Sequence, residues 1–170
     1  MDQVFPLLAK YGGVVIGLAL DENGIPQDAE GRVQIARKII DEAAKYGIEK
    51  KDIVIDALAM TVSSEPEGAK VTLETLRRLR QELCVHTVLG DIEYFLWTSK
   101  PSSYQCGIYT MAMQNGLSAG IINPASEDMM KSWYAYHALM NLDANCERFI
   151  EKLCSRRHKA SCFGQQHLTI

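Results

Sequence analysis

The feature that most constrains the fold is the alternation of short apolar runs with longer amphipathic segments. The run 14–20 is nearly all apolar, which predicts a strand covered on both faces. In the next segment apolar residues recur at helical spacing with charged residues between them, which predicts a helix with one stripe facing a sheet. The apolar positions are Val33, Ala36, Ile39, Ile40, Ala43 and Ala44, and the charged positions are Arg32, Arg37, Lys38, Asp41 and Glu42. Gly47 is predicted to end this helix in a left-handed conformation.

The same cycle repeats along the chain. Further strands are predicted at 52–59, 85–90 and 118–124. Thr72 is predicted to cap the second helix, and a third helix is predicted to end near Asn115 and Gly116. A long helical tract is predicted for residues 126–152. The chain therefore contains tandem βα units.

Alternating strands and helices with short connections predict an α/β protein with a parallel sheet. A doubly wound sheet and part of a (β/α)8 barrel both fit this pattern. No G-x-G-x-x-G follows a strand and no G-x-x-x-x-G-K-[ST] occurs in the chain. We therefore favour the barrel, of which four βα units would be one half.

Composition and cysteine usage exclude several classes of function. The 170 residues are 47% hydrophobic and 23% charged, with a formal charge of −3, which argues against nucleic-acid or membrane-surface partners. No run approaches the roughly 20 apolar residues of a membrane span, and the first residues lack a signal-peptide layout, so a cytoplasmic location is expected. The five cysteines include no C-x-x-C pair, which indicates reduced thiols. No metal site is predicted, because the spacing of Cys154, His158, Cys162 and His167 matches no common zinc module.

Three residues at the ends of predicted strands are candidate binding residues. Asp56 interrupts an apolar strand, where a carboxylate is costly unless it is paired or lies at the open end. It is therefore either a ligand contact or a cap of the following loop. Gly90 is either a point of close ligand approach or a simple turn. Asn123 precedes a proline and is either a ligand contact or a turn residue.

Other candidates for acid–base chemistry have ordinary structural explanations. Asp21 and Glu22 form an acidic pair of the kind used in proton transfer, but we favour a solvated loop for them. His86 is expected at a satisfied core or outer-face position. His137 lies among aromatic residues of a predicted helix and is expected to pack against them.

Four segments in one order resemble a known family. They are LALDENGIPQDAEGRVQIARKII, YGIEKKDIVIDAL, TVLG and AMQNGLSAGIINP. Together they resemble the pterin-binding (methyltetrahydrofolate-binding) domain of cobalamin-dependent methionine synthase and of methyltetrahydrofolate:corrinoid methyltransferases. The resemblance covers about residues 3–152, apart from one stretch. It implies a (β/α)8 TIM-type barrel, dihydropteroate-synthase-like, of which this chain carries only the C-terminal half.

The resemblance also implies roles for the candidate residues. Asp56 would accept hydrogen bonds from the amide and amino nitrogens of the pterin, Gly90 would lie beside the ring, and Asn123 would face the ligand. The family pattern after Gly90 is G-[VIL]-S-N-[VI]-S-F-G-L-P-x-R, whose Asn reaches the pterin. This chain has GDIEYFLWTSKPSS instead, with Glu93 at the Asn position. No catalytic residue is therefore assigned.

A shifted reading frame is our hypothesis for this departure. Codons for 92–108 can be written so that reading from the second base gives S-N-I-S-F-G-L-P-S-R-R, which restores the family motif. Residues 91–108 and 153–170 are therefore interpreted as out-of-frame translations, the latter in place of an interdomain linker. Residues 1–152 would form the partial barrel domain.

The resemblance implies a methyltransferase that binds 5-methyltetrahydrofolate and transfers its methyl group to cob(I)alamin. The cobalamin would be held by a partner domain or corrinoid protein, not by this chain. A first alternative is a truncated, non-catalytic half-barrel that associates with itself through unpaired strand edges. A second is a dihydropteroate synthase, which is disfavoured because SAGIINPASEDMM lacks the expected Lys and Arg signature. The final methyl acceptor, homocysteine or that of another corrinoid pathway, stays open.

Overall fold

The computed structural model describes residues 1–60, 65–90 and 102–153. The chain divides into two compact units, Met1–Asn123 and Pro124–Ile170, and each is described by itself. No helix in the described ranges is long and apolar enough to cross a membrane.

The described part of the first unit alternates helices and strands. In chain order the elements are α1 (Val4–Tyr11), β1 (Val15–Leu18), α2 (Ala29–Lys45), β2 (Ile53–Asp56), α3 (Gly68–Arg78), β3 (His86–Leu89), α4 (Ser102–Gln114) and β4 (Ala119–Gly120). A 3-10 turn, Lys50–Asp52, precedes β2, and a π-helical turn, Leu79–Leu83, follows α3. The predicted α/β class is confirmed. Helix α1 was not predicted from the sequence.

The four strands form one parallel sheet in the order β1-β2-β3-β4. Asp56 is level with Leu18 on one side and with Val88 on the other. Leu89 pairs with Gly120 across the next boundary. Neighbouring strands are therefore consecutive in the chain, an arrangement compatible with part of a (β/α)8 barrel.

Helix α2 shows why its segment folds as predicted. The side chain of Asp28 caps its start by accepting a hydrogen bond from the Gly31 amide at 2.7 Å. Its buried positions fall on one stripe and comprise Ala29, Arg32, Val33, Ile35, Ala36, Ile39, Ile40 and Ala43. Gly47 follows the helix with φ 74°, which confirms the predicted left-handed residue.

The prediction that the run 14–20 forms a strand covered on both faces is wrong for β1. Every second residue faces an open side, and Val14, Ile16 and Leu18 are 59%, 55% and 46% exposed. The opposite side packs on α2, where Gly17 approaches Ile39. An unbroken apolar run therefore does not establish burial of both faces, because the described residues cover the side of β1 that packs on α2 and leave the other side open.

Two helix boundaries also differ from prediction. Thr72 does not cap α3, which begins at Gly68 after Glu67, so Thr72 lies within the helix and is fully buried. The tract predicted to be helical over 126–152 is two helices, α5 (Glu127–Leu139) and α6 (Glu147–Leu153). The break between them contains Asn141 and Asn145, both with φ 54°.

The second unit is organised around this break. The carboxylate of Asp143 accepts hydrogen bonds from the amides of Arg148 at 3.2 Å and Phe149 at 2.9 Å. It thereby satisfies amides in the first turn of α6. In α5 the ring of His137 lies 3.9 Å from that of Trp133, and its Nδ1 lies 2.8 Å from the Trp133 carbonyl. The packing role expected for His137 is confirmed.

Candidate functional site

The carboxyl ends of the four parallel strands meet at one edge of the sheet. Hydrogen bonding continues past the strand ends through the amides of Ala19, Ala57 and Ile121, which donate to carbonyls of the neighbouring strands. Asp56 and Gly90 lie at this edge, at the end of β2 and immediately after β3. Ligands of open α/β sheets and barrels bind at the carboxyl edge, so this edge is the candidate site.

Asp56 is held in a defined orientation at the end of β2. Its side chain is largely buried, and its Oδ1 accepts a hydrogen bond from the Leu58 amide at 2.9 Å. Leu58 has a left-handed backbone with φ 60°, an uncommon conformation for a residue with a Cβ atom. The loop-capping interpretation of Asp56 is therefore confirmed in its geometry.

The second carboxylate oxygen of Asp56 faces Gly90. A methyl group added at Gly90 would lie 3.6 Å from Asp56 Oδ2 and 3.8 Å from Cδ1 of Ile121. Three strand ends thus converge on one small area that combines a carboxylate, a bare stretch of backbone and an apolar side chain. A carboxylate accepts hydrogen bonds from neighbouring N–H groups, and an apolar side chain and bare backbone can lie against a flat ring.

Arg32 lies fully buried beneath the loop that follows Asp56. Its Nη1 donates to the carbonyls of Ala57 at 2.9 Å and Leu58 at 2.8 Å, and its Nε donates to the Pro26 carbonyl at 3.0 Å. Its Nη2 is buried without a hydrogen-bond partner among the described residues. Burial lowers the pKa of the Arg32 guanidinium, while nearby carboxylates, chiefly that of Glu65, act in the opposite direction.

The sequence pattern placed Arg32 among the charged residues between the apolar positions of α2, whereas the structure places it among the buried residues of that helix. Arg32 is three residues after Ala29 and four before Ala36, so it lies on the apolar stripe itself. That spacing was the available signal. A charged residue on an apolar stripe needs buried acceptors, and here backbone carbonyls supply them.

The structure places the other candidates less centrally. Asn123 is exposed three residues after β4, beyond Ile121. Asp21 accepts a hydrogen bond from the Asn23 amide at 2.9 Å within a turn, as expected for a loop residue. His86 is exposed at the start of β3, at the opposite end of that strand from Gly90, so it is not a core residue.

Some predictions fall on parts of the chain outside the described residues. Glu93, most of the stretch 91–108 and nearly all of 153–170 belong to this category, so the reading-frame hypothesis stays a prediction. Cys84 and Cys146 form no disulfide within the described part of the chain. Within the described ranges, no group of three or more His, Cys, Asp or Glu side chains is arranged to hold a metal ion.

Comparison with known proteins gives a consistent set of relatives. No protein-family model matches the chain. A methylcorrinoid:tetrahydrofolate methyltransferase of Eubacterium limosum is 26% identical over 154 residues, which cover 88% of this chain and 56% of that protein. Methionine synthases of Mycobacterium leprae and Mycobacterium tuberculosis are each 31% identical over 90 residues, covering 49% of this chain and 8% of theirs.

The chain thus spans about half the length of the first relative and a small part of the other two. These relatives agree with the family that the sequence motifs resemble. These matches confirm the resemblance, read from the sequence, to the pterin-binding domain of methionine synthase and of the corrinoid methyltransferases.

Proposed function

We propose that the carboxyl edge of the sheet binds the pterin ring of 5-methyltetrahydrofolate, with Asp56, Gly90 and Asn123 as binding residues. The observation that carries this proposal is the fixed carboxylate of Asp56 directed at Gly90. Asp56 would accept hydrogen bonds from the amide and amino N–H groups of the pterin. Gly90 would allow the ring to approach the backbone, since an added side chain would occupy that space.

We further propose that the bound folate exchanges its methyl group with a corrinoid. The methyl acceptor is cob(I)alamin on a partner domain or corrinoid protein, which supplies the nucleophile. This chain's task is to bind and orient the pterin so that the bond between N5 and the methyl carbon faces the acceptor. The name of the Eubacterium relative describes transfer from a methylcorrinoid to tetrahydrofolate. One site can serve both directions, because forward and reverse reactions share a transition state.

Hydrogen bonding to N5 is the step for which this chain is least equipped. At the position where the family has an Asn that reaches the pterin, this chain has Glu93. A carboxylate accepts hydrogen bonds when ionised and does not donate them as an amide does. We therefore expect this chain alone to bind the folate but to catalyse methyl transfer only slowly.

The fold we propose around this site is half of a (β/α)8 barrel spanning residues 1–152. The consecutive strand order supports it, because a doubly wound sheet reverses its order at a switch point and this sheet does not. The match to about half of the Eubacterium relative also supports it. The open apolar side of β1 would then face the barrel interior.

Calorimetric titration of the full chain with 5-methyltetrahydrofolate tests the proposal. We compare wild type with Asp56→Asn and with Asp41→Asn, a matched loss of charge on the exposed surface of α2. Asparagine at 56 can keep the bond from the Leu58 amide but replaces Oδ2 with a donor, so we expect binding to weaken at least about tenfold. Asp41→Asn should bind like wild type. Absence of wild-type binding, or equal binding by Asp56→Asn, would refute the proposed function.

A second candidate function is a non-catalytic half-barrel that pairs with a second copy. Both outer strands, β1 and β4, have an unpaired edge in the described sheet, and a groove of about 680 Å³ lies beside β1. Two copies would bring together eight parallel strands and cover Ile16 and Leu18. Light scattering after size-exclusion chromatography tests this: a dimer that Ile16→Lys converts to monomer supports it, and a monomeric wild type excludes it.

A further inference from the structure

Leu58, in the loop after β2, accepts hydrogen bonds from side chains of two helices. Its left-handed backbone is unfavourable for a residue with a Cβ atom, so surrounding contacts must hold it. Its carbonyl accepts hydrogen bonds from Arg32 Nη1 at 2.8 Å and from Thr72 Oγ1 at 3.0 Å. Arg32 lies on α2 and Thr72 on α3, and both are fully buried.

The other side of the Leu58 residue reaches the candidate site. Its amide donates to Asp56 Oδ1 at 2.9 Å. The N–H and the C=O of Leu58 lie on either side of its Cα atom. The direction of the N–H relative to the anchored carbonyl therefore depends on the left-handed conformation of Leu58. A relaxed backbone at Leu58 would turn the amide away and leave the Asp56 carboxylate without this partner.

We propose that Arg32 and Thr72 are positioning residues that fix Asp56 for pterin binding through Leu58. This inference rests on the proposed function for its ligand. Neither side chain touches the ligand; each acts through the carbonyl of Leu58. The Arg32 guanidinium also binds the Ala57 carbonyl, so two successive peptide groups after Asp56 are anchored to α2.

Helix α3 offers a matched pair of residues for the test. Thr72 and Thr75 are one turn apart, and both are fully buried. The Thr72 hydroxyl donates to Leu58, whereas the Thr75 hydroxyl donates to the Val71 carbonyl of its own helix at 2.7 Å. Replacing either by valine removes one buried hydroxyl with little change in shape, but only Thr72→Val removes a hydrogen bond to the Leu58 carbonyl, which keeps its bond from Arg32.

The experiment measures three quantities on full-length variants: the hydrogen-exchange rate of the Leu58 amide, the Kd for 5-methyltetrahydrofolate and the melting temperature. For Thr72→Val we expect faster exchange at Leu58 and binding weaker by about fivefold to tenfold, the effect of losing one buried hydrogen bond. Thr72→Ser keeps the hydroxyl and should restore both. Thr75→Val should lower the melting temperature and leave exchange at Leu58 and Kd unchanged.

Two results would overturn the positioning role. One is unchanged Leu58 exchange in Thr72→Val, and the other is equal weakening of binding by Thr75→Val, which would indicate a general loss of stability. A wild type that does not bind folate refutes the proposed function and with it the ligand named here. The exchange comparison then decides by itself whether Thr72 holds the Leu58 amide on the Asp56 carboxylate.

Discussion

Replacing Gly17 by alanine tests how closely β1 packs on α2. A Cβ atom built at Gly17 would lie 3.1 Å from Cδ1 and 3.2 Å from Cγ2 of Ile39, and 3.3 Å from Cδ1 of Ile55. Ordinary contacts between carbon atoms are about 3.5–4.0 Å, so three methyl groups must each move by a few tenths of an ångström. Ile55 is fully buried, and Ile39 is nearly so.

The size of the effect follows from two opposing contributions. Overpacking of a buried site costs about 1–3 kcal/mol, while removing a glycine from a strand returns about 0.5–1 kcal/mol. Ile39 also borders the groove beside β1, so part of the overlap can relax toward that space. We therefore expect Gly17→Ala to destabilise the protein by about 1 kcal/mol, which lowers the melting temperature by about 3 °C.

The assay is urea unfolding followed by circular dichroism, with two companion variants. Gly107→Ala is the control, because a Cβ there meets no atom of the described residues within 4 Å and alanine favours the helix, so stability should rise by about 0.5–1 kcal/mol. Ile39→Val removes the nearest methyl group, so the double variant should lose less stability than the sum of the two single losses. The reasoning fails if Gly17→Ala is as stable as wild type, or if the double variant is strictly additive.

Three further outcomes are expected. The hydrogen bond from Arg78 lowers the pKa of Glu82, so this pair adds stability above the usual Glu pKa near 4.5 and loses it as pH falls through the lower folded value. In Arg78→Met, urea midpoints measured at about pH 6 and about pH 3 should therefore differ less than in wild type. Burial raises the pKa of the Tyr109 phenol above its usual value near 10, so an alkaline absorbance titration should show a late phase that Tyr109→Phe removes. Asp143→Ala deprives two amides of α6 of their acceptor and should reduce stability by about 1–2 kcal/mol, measured by urea unfolding.

Periodicity predicted the helices and strands well because it reports local burial. The helical stripe of α2, its end at Gly47 and the alternation of strands and helices in a parallel sheet were all predicted from residue spacing. Strand lengths were overestimated: 118–124 contains only a two-residue strand, Ala119–Gly120. Apolar residues continue past the point where hydrogen bonds to the neighbouring strand stop, so composition does not mark the end of a strand.

The candidate site was predicted in part for the same reason. A carboxylate at the end of an apolar run signals the carboxyl edge of a sheet, so the sequence placed Asp56 and Gly90 at this edge as candidates. The supporting residues were misassigned: Arg32 was counted among the charged residues outside the apolar stripe of α2, and Thr72 was expected as a helix cap. Both form hydrogen bonds with Leu58, which is 26 and 14 residues away in the chain.

The sequence by itself determined the βα order, the resemblance to a family of methyltransferases and two candidate site residues, because each depends on spacing within a short segment. Only the tertiary structure decided that β1 has an open apolar face and that Asp56 is oriented through Leu58. The physical reason is that burial of one strand face depends on which strands and helices cover it. The left-handed backbone of Leu58 likewise depends on donors from two separate helices, and no local pattern encodes contacts between segments so far apart.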